Sequence, residues 1–208
     1  MADNVTITQG AGTNVATDDV GGVHFQRVKL DVGTDGASTP VVTTLPVNLV
    51  AGETHLGQIG AEGDLIDVTL TLDTSAYADG DVMADTQTVS NAVRVTSGRA
   101  ILQSIAVIDE DDQGQTFDIL FFSANRSLGT ENSTPSISDA NARDFLAVVR
   151  ISSSDYLDLG GVKVATRAGL GLLLEASGSR DLYVGTIIRG AATYTASGVR
   201  LRLGFLWD

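Results

Sequence analysis

The 208-residue sequence contains no cysteine, three prolines and one tryptophan, and aromatic residues make up 5% of it. The absence of cysteine excludes disulfides, thiolate nucleophiles and cysteine-ligated zinc or iron–sulfur sites. The shortage of aromatic rings counts against carbohydrate-active enzymes and lectins, because these proteins usually bind sugars on aromatic platforms. A protein of this composition has to rely on apolar packing and, often, on association with other chains.

Basic residues are also scarce, since 13 Lys and Arg stand against 26 Asp and Glu, giving a net charge of −13. Proteins that bind nucleic acid neutralise its phosphates with Lys and Arg, and anionic membranes attract basic segments. We therefore expect neither nucleic acid nor a membrane as a partner. The simplest interpretation of the charge is solubility and mutual repulsion.

Long apolar runs are missing too. No segment approaches the roughly 18 continuous apolar residues of a transmembrane helix, so none is expected. The opening MADNVTITQG has neither a basic nor an apolar region of the kind found in signal peptides, and we expect synthesis in a cytoplasm. Hydrophobic residues nevertheless make up 43% of the chain and charged residues 19%, which is typical of a globular protein.

What the sequence does contain is a series of short segments rich in Val, Ile, Thr, Phe and Tyr, separated by polar turns. In the last of them, Leu201 and Leu203 alternate with Arg200 and Arg202, which predicts one buried and one solvated face. This spacing predicts an all-β protein, a jelly-roll-like antiparallel β-sandwich with an extended N-terminal arm and little helix. The predicted strands are 65–72, 92–96, 100–109, 116–122, 145–151, 169–175, 181–189 and 199–206.

The first quarter of the chain differs from the rest. Residues 1–21 are small and polar, and are either a disordered terminus or an arm that orders against a partner. Residues 23–32 alternate like a half-buried strand, and prolines interrupt the β-type segment 40–50, as at a sheet edge. We therefore divide the chain into residues 1–55, an N-terminal arm with edge strands, and residues 56–208, the sandwich domain.

Helix is predicted only at residues 138–145, where Ser138 is suited to cap one or two turns. The loop 123–137 is long and polar. Its simplest interpretation is a solvated crossover, and the alternative is a contact surface for a subunit or a receptor.

The most acidic segment is Asp109–Gly114, with the sequence DEDDQG. A calcium loop starting at Asp109 would need a carboxylate at its twelfth position, which is Leu120. A tight hairpin between strands 100–109 and 116–122 would use Gly114, so an acidic hairpin turn is favoured over a weak cation site. The segment Asp79–Asp81, with the sequence DGD, is ambiguous in the same way, and a turn is again favoured.

Motifs of catalysis and cofactor binding are not found. His24 and His55 have no metal-ligand spacing, and no GxSxG, GxGxxG or GxxxxGK[ST] sequence occurs. Paired carboxylates of a glycosidase are conceivable in any chain with 26 acids, but nothing selects a pair. We expect the protein not to be an enzyme, and to have no catalytic, cofactor-binding or metal-binding residues and no cofactor.

Several segments resemble a domain that is common in structural proteins of tailed bacteriophages. Three of them lie in the C-terminal two-thirds of the chain, and the opening GVHFQRVKLDVGTDG is similar to the start of many phage particle proteins. Together they cover most of the chain, and no catalytic motif is part of the resemblance. The three segments are SAYADGDVMADTQTVSNAVRV, AVIDEDDQGQTFDILFFSANRSLGTENSTPSISD and DLYVGTIIRGAATYTASGVRLRLGFLWD.

The resemblance implies a virion component of the head-decoration, or cement, type. Such a protein would bind the outside of the bacteriophage head and clamp neighbouring capsid subunits, after assembly in the host cytoplasm. Its partners would be the major capsid protein and further copies of itself in a homotrimer. The alternative is a tail or fibre protein that binds a receptor on the host surface.

Overall fold

The computed structural model describes residues 17–26 and 62–207, in which it has eleven β-strands and two short 3-10 helices. The 3-10 helices are Asn141–Asp144 and Ser153–Asp155. The strands are β1 (Thr17–Val20), β2 (Val23–Gln26), β3 (Glu62–Thr69), β4 (Val82–Val89), β5 (Arg99–Asp109), β6 (Phe117–Phe122), β7 (Phe145–Ile151), β8 (Tyr156–Asp158), β9 (Lys163–Glu175), β10 (Leu182–Ile188) and β11 (Val199–Trp207).

The chain divides into two compact units, residues 1–57 and 58–208. In the first unit, β1 and β2 form an antiparallel hairpin closed by Gly21 and Gly22. Their φ angles of 64° and 80° lie in the left-handed region, which glycine adopts without strain. The sequence analysis predicted no strand at residues 17–20. The rest of the predicted arm and edge strands lies outside the described residues, and the division at residue 55 stays a prediction.

The second unit contains two antiparallel sheets. One has the strand order β4-β10-β6-β7, and the other has the order β3-β11-β5-β9-β8. With the short edge strand β8 set aside, the eight strands alternate between the sheets in the order of a jelly roll, and the chain crosses from sheet to sheet at most connections. The prediction of a jelly-roll-like antiparallel β-sandwich with little helix is confirmed.

The core lies between the two sheets and follows the alternation in the sequence. On β11, Leu201 and Leu203 are buried, whereas Arg202 is exposed on the other face, as predicted. Burial of this many aliphatic and aromatic side chains supplies the main driving force for folding. The largest side chains in this core with less than 2% exposure are Phe117, Phe121, Phe205, Leu70, Met83, Leu102, Ile105, Ile119, Ile151 and Leu174.

One strand was predicted at the wrong place. Residues 92–96 form turns and bends rather than a strand, and β4 was not predicted because four consecutive residues in its sequence, VMADTQTV, are polar. Ala92 and Val93 are apolar because they are buried in the core as part of a loop. The indole N–H of Trp207 donates to the carbonyl of Ala92 at 2.9 Å and holds this loop against the end of β11.

The predicted hairpin between the strands 100–109 and 116–122 is also wrong. Since β5 belongs to the five-stranded sheet and β6 to the four-stranded sheet, residues 110–116 cross between sheets. Turn-forming residues do not reveal whether the next strand pairs with the previous one. The predicted helix at 138–145 is a single 3-10 turn, and the hydroxyl of Ser138 accepts the N–H of Asn141 at 3.3 Å. In the part that the structure describes, no helix could cross a membrane.

Candidate functional site on the five-stranded sheet

The acidic segment Asp109–Gly114 is held in place by protein groups. Asp109 is 1% exposed, and its carboxylate accepts the N–H of Gly114 at 2.6 Å and that of Asp111 at 3.1 Å. Burial raises the pKa of Asp109, and these N–H donors partly oppose the rise. Gly114 has a φ of 61°, in the left-handed region that favours glycine, and a Cβ there would also lie 2.6 Å from Cδ of Lys163.

The other acids of this segment have partners too. The carboxylate of Glu110 lies 3.7 Å from Arg200, and that of Asp112 lies 3.2 Å from Nζ of Lys163. The backbone N–H of Thr195 donates to Asp111 at 2.7 Å. Among the residues of known placement, no group of three or more His, Asp or Glu is arranged to hold a metal ion. The segment is therefore best understood as a crossover whose carboxylates hold the fold together.

The segment Asp79–Asp81 lies in the crossover from β3 to β4. The carboxylate of Asp81 accepts the N–H of Ala78 at 2.8 Å, and Gly80, with a φ of 93°, donates to the carbonyl of Ile188 at 2.9 Å. These contacts form the turn that the sequence favoured. His24 lies in β2, whereas His55 lies outside the described residues.

The loop 123–137 packs across the outer face of the four-stranded sheet. Leu128 is 2% exposed and lies in a small apolar cluster with Val82, Phe122 and Ile187. The carboxylate of Asp85, on β4, accepts the N–H of Leu128 at 2.6 Å. The sequence favoured a solvated crossover, but this loop has its own apolar anchor.

Two further features fix this loop. Val82 and the loop exchange backbone hydrogen bonds, since Asn132 donates to the Val82 carbonyl and Val82 donates to that of Ser133, each at 2.9 Å. A Cβ on Gly185 of β10 would lie only 2.6 Å from Cδ1 of Leu128, so glycine makes the close approach possible. The chain itself thus covers part of the outer face of this sheet.

The sequence analysis missed an ion network on the same face. The side chain of Asp118 is 8% exposed and accepts hydrogen bonds from Arg150 at 2.6 and 2.9 Å and from Arg189 at 2.8 Å. The Arg150 guanidinium lowers the pKa of Asp118; burial opposes this effect and Arg189 adds to it. The signal was present in the sequence, because Asp118 is the one charged residue in the run FDILFF.

The outer face of the five-stranded sheet, in contrast, presents apolar side chains to solvent. Ile101 of β5 lies directly between Leu206 of β11 and Leu173 of β9, so the three form one cross-strand row. Leu65 of β3 lies in the adjacent row, opposite Gly204. Leu65 is 65% exposed, Leu173 64% and Ile101 40%. We call these four apolar residues, Leu65, Ile101, Leu173 and Leu206, the apolar patch.

The sheet surface beside the apolar patch is recessed, because it carries small side chains. Gly204 and its cross-strand neighbour Ser104 lie in the same row as Leu65, and Ala168 continues that row on β9. A Cβ on Gly204 would lie 2.4 Å from Oγ of Ser104 and 3.4 Å from Cδ2 of Leu65. These small residues let another surface approach the sheet closely.

Ion pairs border the apolar patch on both sides. The pair Arg99–Glu175, at 2.9 Å, flanks the row that contains Ile101, and the pair Arg202–Asp67, at 2.8 Å, lies beyond Leu65. A hydrogen bond from the Arg202 guanidinium lowers the pKa of Asp67. Exposed pairs of this kind contribute little to stability. Their importance is that each cation is matched by one acid, although the chain as a whole carries −13.

Comparison with known proteins gives no family model and no curated protein that matches the chain. Among solved structures, the chain is similar to the capsid asymmetric unit of cyanophage Pam1, with 17% identity, a TM-score of 0.29 and coverage of 82% of this chain and 100% of that one. It is also similar to Desmodium yellow mottle tymovirus, with 13% identity, a TM-score of 0.25 and coverage of 88% and 95%.

A shallow groove of about 290 Å³ lies beside the Arg99–Glu175 ion pair and includes Glu175 in its lining. It contains three hydroxyl groups and one carboxylate but no aromatic ring. These groups could accept and donate hydrogen bonds to a polar ligand, without the stacking surface on which sugars are usually bound. The lining residues are Ser97, Ser123, Leu146, Glu175, Ala176 and Ser177.

Proposed function

We propose that this chain is a structural protein of a bacteriophage virion, a capsid decoration protein that binds the outside of the head and clamps neighbouring capsid subunits. The observation that carries the proposal is the jelly-roll order of the two sheets, an architecture that recurs in viral capsid domains. The resemblance of its sequence segments to phage structural proteins supports the choice of a phage over other viruses.

The proposed partners are the major capsid protein and two further copies of the chain in a homotrimer. An exposed apolar patch with a charged border supports protein as the partner, because this is the anatomy of protein–protein interfaces. Nucleic acid and membranes are not among the proposed partners, since the net charge of −13 would oppose binding to phosphate-rich surfaces. The proposed location is the outer head surface of the virion, reached by assembly in the host cytoplasm.

We also propose that the protein is not an enzyme. A catalytic base needs a carboxylate with free acceptor capacity in reach of a substrate. Asp109 is instead occupied by backbone N–H groups and Asp118 by two guanidinium groups. The role of these acids in the fold supports a structural function.

Copy number and head stability test the proposal. Purified particles of the phage that encodes the chain should carry it in many copies, in fixed proportion to the major capsid protein, as measured by quantitative gel densitometry and cryo-electron microscopy. Particles that lack the protein should release DNA at a lower temperature, and added purified protein should restore the release temperature. A few copies confined to the tail would contradict the proposal.

The second candidate is a tail or fibre protein that binds a host surface receptor. The polar groove that contains Ser97, Ser123 and Glu175 is the observation in its favour. This function predicts few copies per particle, direct binding of the purified protein to host cells, and loss of that binding on Glu175→Gln. Copy number therefore separates the two candidates before any ligand is known.

A further inference from the structure

We infer that the apolar patch and its bordering ion pairs are the surface through which copies of this chain associate with each other. The inference rests on the self-association in the proposed function and names the surface that carries it. The occupant of the patch is a second copy of the chain. The patch lies on hydrogen-bonded strands of the sheet, so the contact would be formed by a sheet face and not by a loop.

The first observation is the composition of this face. Protein–protein interfaces have an apolar centre, a polar rim and few charged groups at the centre. Here Ile101 and Leu173 form the centre with Leu65, and the pairs Arg99–Glu175 and Arg202–Asp67 form the rim. Isolated exposed leucines need no explanation, but several in adjacent rows of one sheet form a contiguous patch.

The second observation is the charge of this face, which selects the partner. Two copies that each carry −13 repel each other wherever unmatched acids meet. On this face Arg99, Arg200 and Arg202 match Glu175, Glu110 and Asp67 one to one, so copies can meet there with little repulsion. A basic partner would instead be attracted to a face with surplus acid.

The third observation is the size and shape of the face. The four long strands β3, β11, β5 and β9, each about 4.8 Å wide, and the nine-residue length of β11 at about 3.3 Å per residue give a face of roughly 20 by 30 Å. This area is on the order of 600 Å², near the roughly 800 Å² that each partner contributes to a stable interface. The row of small residues Gly204, Ser104 and Ala168 allows a facing sheet to pack closely against this face.

The outer face of the four-stranded sheet is less suited to this role. Leu128 and the rest of the loop 123–137 already cover part of the outer face of the four-stranded sheet, over Gly185. Among the described residues, the five-stranded sheet is thus the broad sheet surface that the chain does not cover with a loop of its own.

The test compares charge substitutions at matched exposure. Leu173→Glu and Leu65→Glu place a carboxylate in the apolar patch at positions that are 64% and 65% exposed, so folding should be unaffected. Val95→Glu, at a loop position that is 61% exposed, is the control. Sedimentation equilibrium should give an oligomer for the wild type and the control, and a mass near 21.6 kDa for the patch variants, with association weakened at least about tenfold.

Two outcomes would overturn the inference: a wild-type protein that remains a single chain at tens of micromolar, or a Leu173→Glu variant that keeps the wild-type oligomer mass. Head binding, measured separately by co-sedimentation with heads that lack the protein, separates this failure from failure of the proposed function. Normal head binding by a monomeric wild type would reject the surface assigned here and leave the decoration function standing. An oligomer that never binds heads would reject the function alone.

Discussion

Two buried aspartates on strands of different sheets, Asp109 on β5 and Asp118 on β6, meet opposite electrostatic surroundings. Asp118 faces two guanidinium groups, which lower its pKa, whereas Asp109 faces backbone N–H groups in a site where burial raises its pKa. The two residues should therefore affect the pH dependence of stability in opposite directions.

Substituting Asp118→Asn should destabilise the protein near neutral pH by about 1–2 kcal/mol, because two guanidinium groups lose their charged partner while remaining reachable by solvent. Since the pKa of Asp118 is lowered, its stabilising effect is present above the ordinary value of 3.8 and is lost as the pH falls through the folded-state pKa. Urea unfolding at neutral and acid pH should thus show a difference between wild type and variant that shrinks in acid. Asp67→Asn, in an exposed pair, should change little, and equal losses in both variants would contradict this account.

Substituting Asp109→Ala should cost about 2–3 kcal/mol, because the N–H groups of Gly114 and Asp111 lose their acceptor. Asp109→Asn keeps one acceptor and should cost less. The raised pKa means that the carboxyl group contributes stability at acid pH that is lost as the pH rises through the folded-state pKa. The variant Asp109→Asn should therefore improve relative to wild type between acid and neutral pH in urea unfolding, and a widening deficit would rule this out.

At the scale of strands and loops, alternation along the sequence was the reliable signal. It located β5, β6, β7, β10 and β11 to within about two residues, because one face of each packs on the core. It failed for β4, whose residues Asp85, Thr86 and Gln87 are polar although the strand is hydrogen-bonded to β10. It also failed to separate strand from buried loop at residues 92–96.

Pairing and exposure were harder to predict than the strands themselves. Gly114 indicated a turn but not that the chain leaves one sheet for the other there. The sequence did not predict the apolar patch, because an apolar residue such as Leu173 within a strand pattern is expected to be buried in the core. Only the two-sheet geometry shows that it points away from the core, with the residue 64% exposed.

The loop 123–137 should behave as a packed element. Leu128→Ala should lower the free energy of unfolding by about 2–4 kcal/mol, because loss of this buried side chain leaves a cavity next to Gly185 in the apolar cluster. Amide hydrogen exchange should accelerate at Ser136, whose N–H donates to the Leu128 carbonyl at 2.7 Å, and at Leu128, whose N–H donates to the Asp85 carboxylate at 2.6 Å. Leu159→Ala, at a position that is 57% exposed, is the control and should stay within about 0.5 kcal/mol of wild type. Similar losses in both variants would mean that the loop is not anchored through Leu128.

At the scale of the whole molecule, a strong negative charge coexists with a charge-matched apolar face. The charge keeps copies apart over most of the surface, while the apolar patch supplies a non-directional attraction. The strength of self-association should then depend on the ionic strength, because salt screens the charge repulsion without weakening the apolar attraction.

Raising the ionic strength from about 0.05 M to about 0.5 M should therefore strengthen self-association of the wild type, since screening reduces the repulsion between chains of charge −13. Sedimentation at several protein concentrations measures this shift. The Leu173→Glu variant should stay monomeric throughout. Weaker association in high salt would instead indicate that ion pairs between copies hold the assembly together.

The position of β11 between β3 and β5 has a consequence for biosynthesis. The ion pair Arg202–Asp67 joins residues 135 positions apart, and β11 is hydrogen-bonded on both sides, to β3 and to β5. A nascent chain on the ribosome consequently holds β3 and β5 without the strand that lies between them until residue 207 has emerged. Closure of this sheet therefore has to wait for β11, and the fluorescence of Trp207, the single tryptophan, is placed to report it.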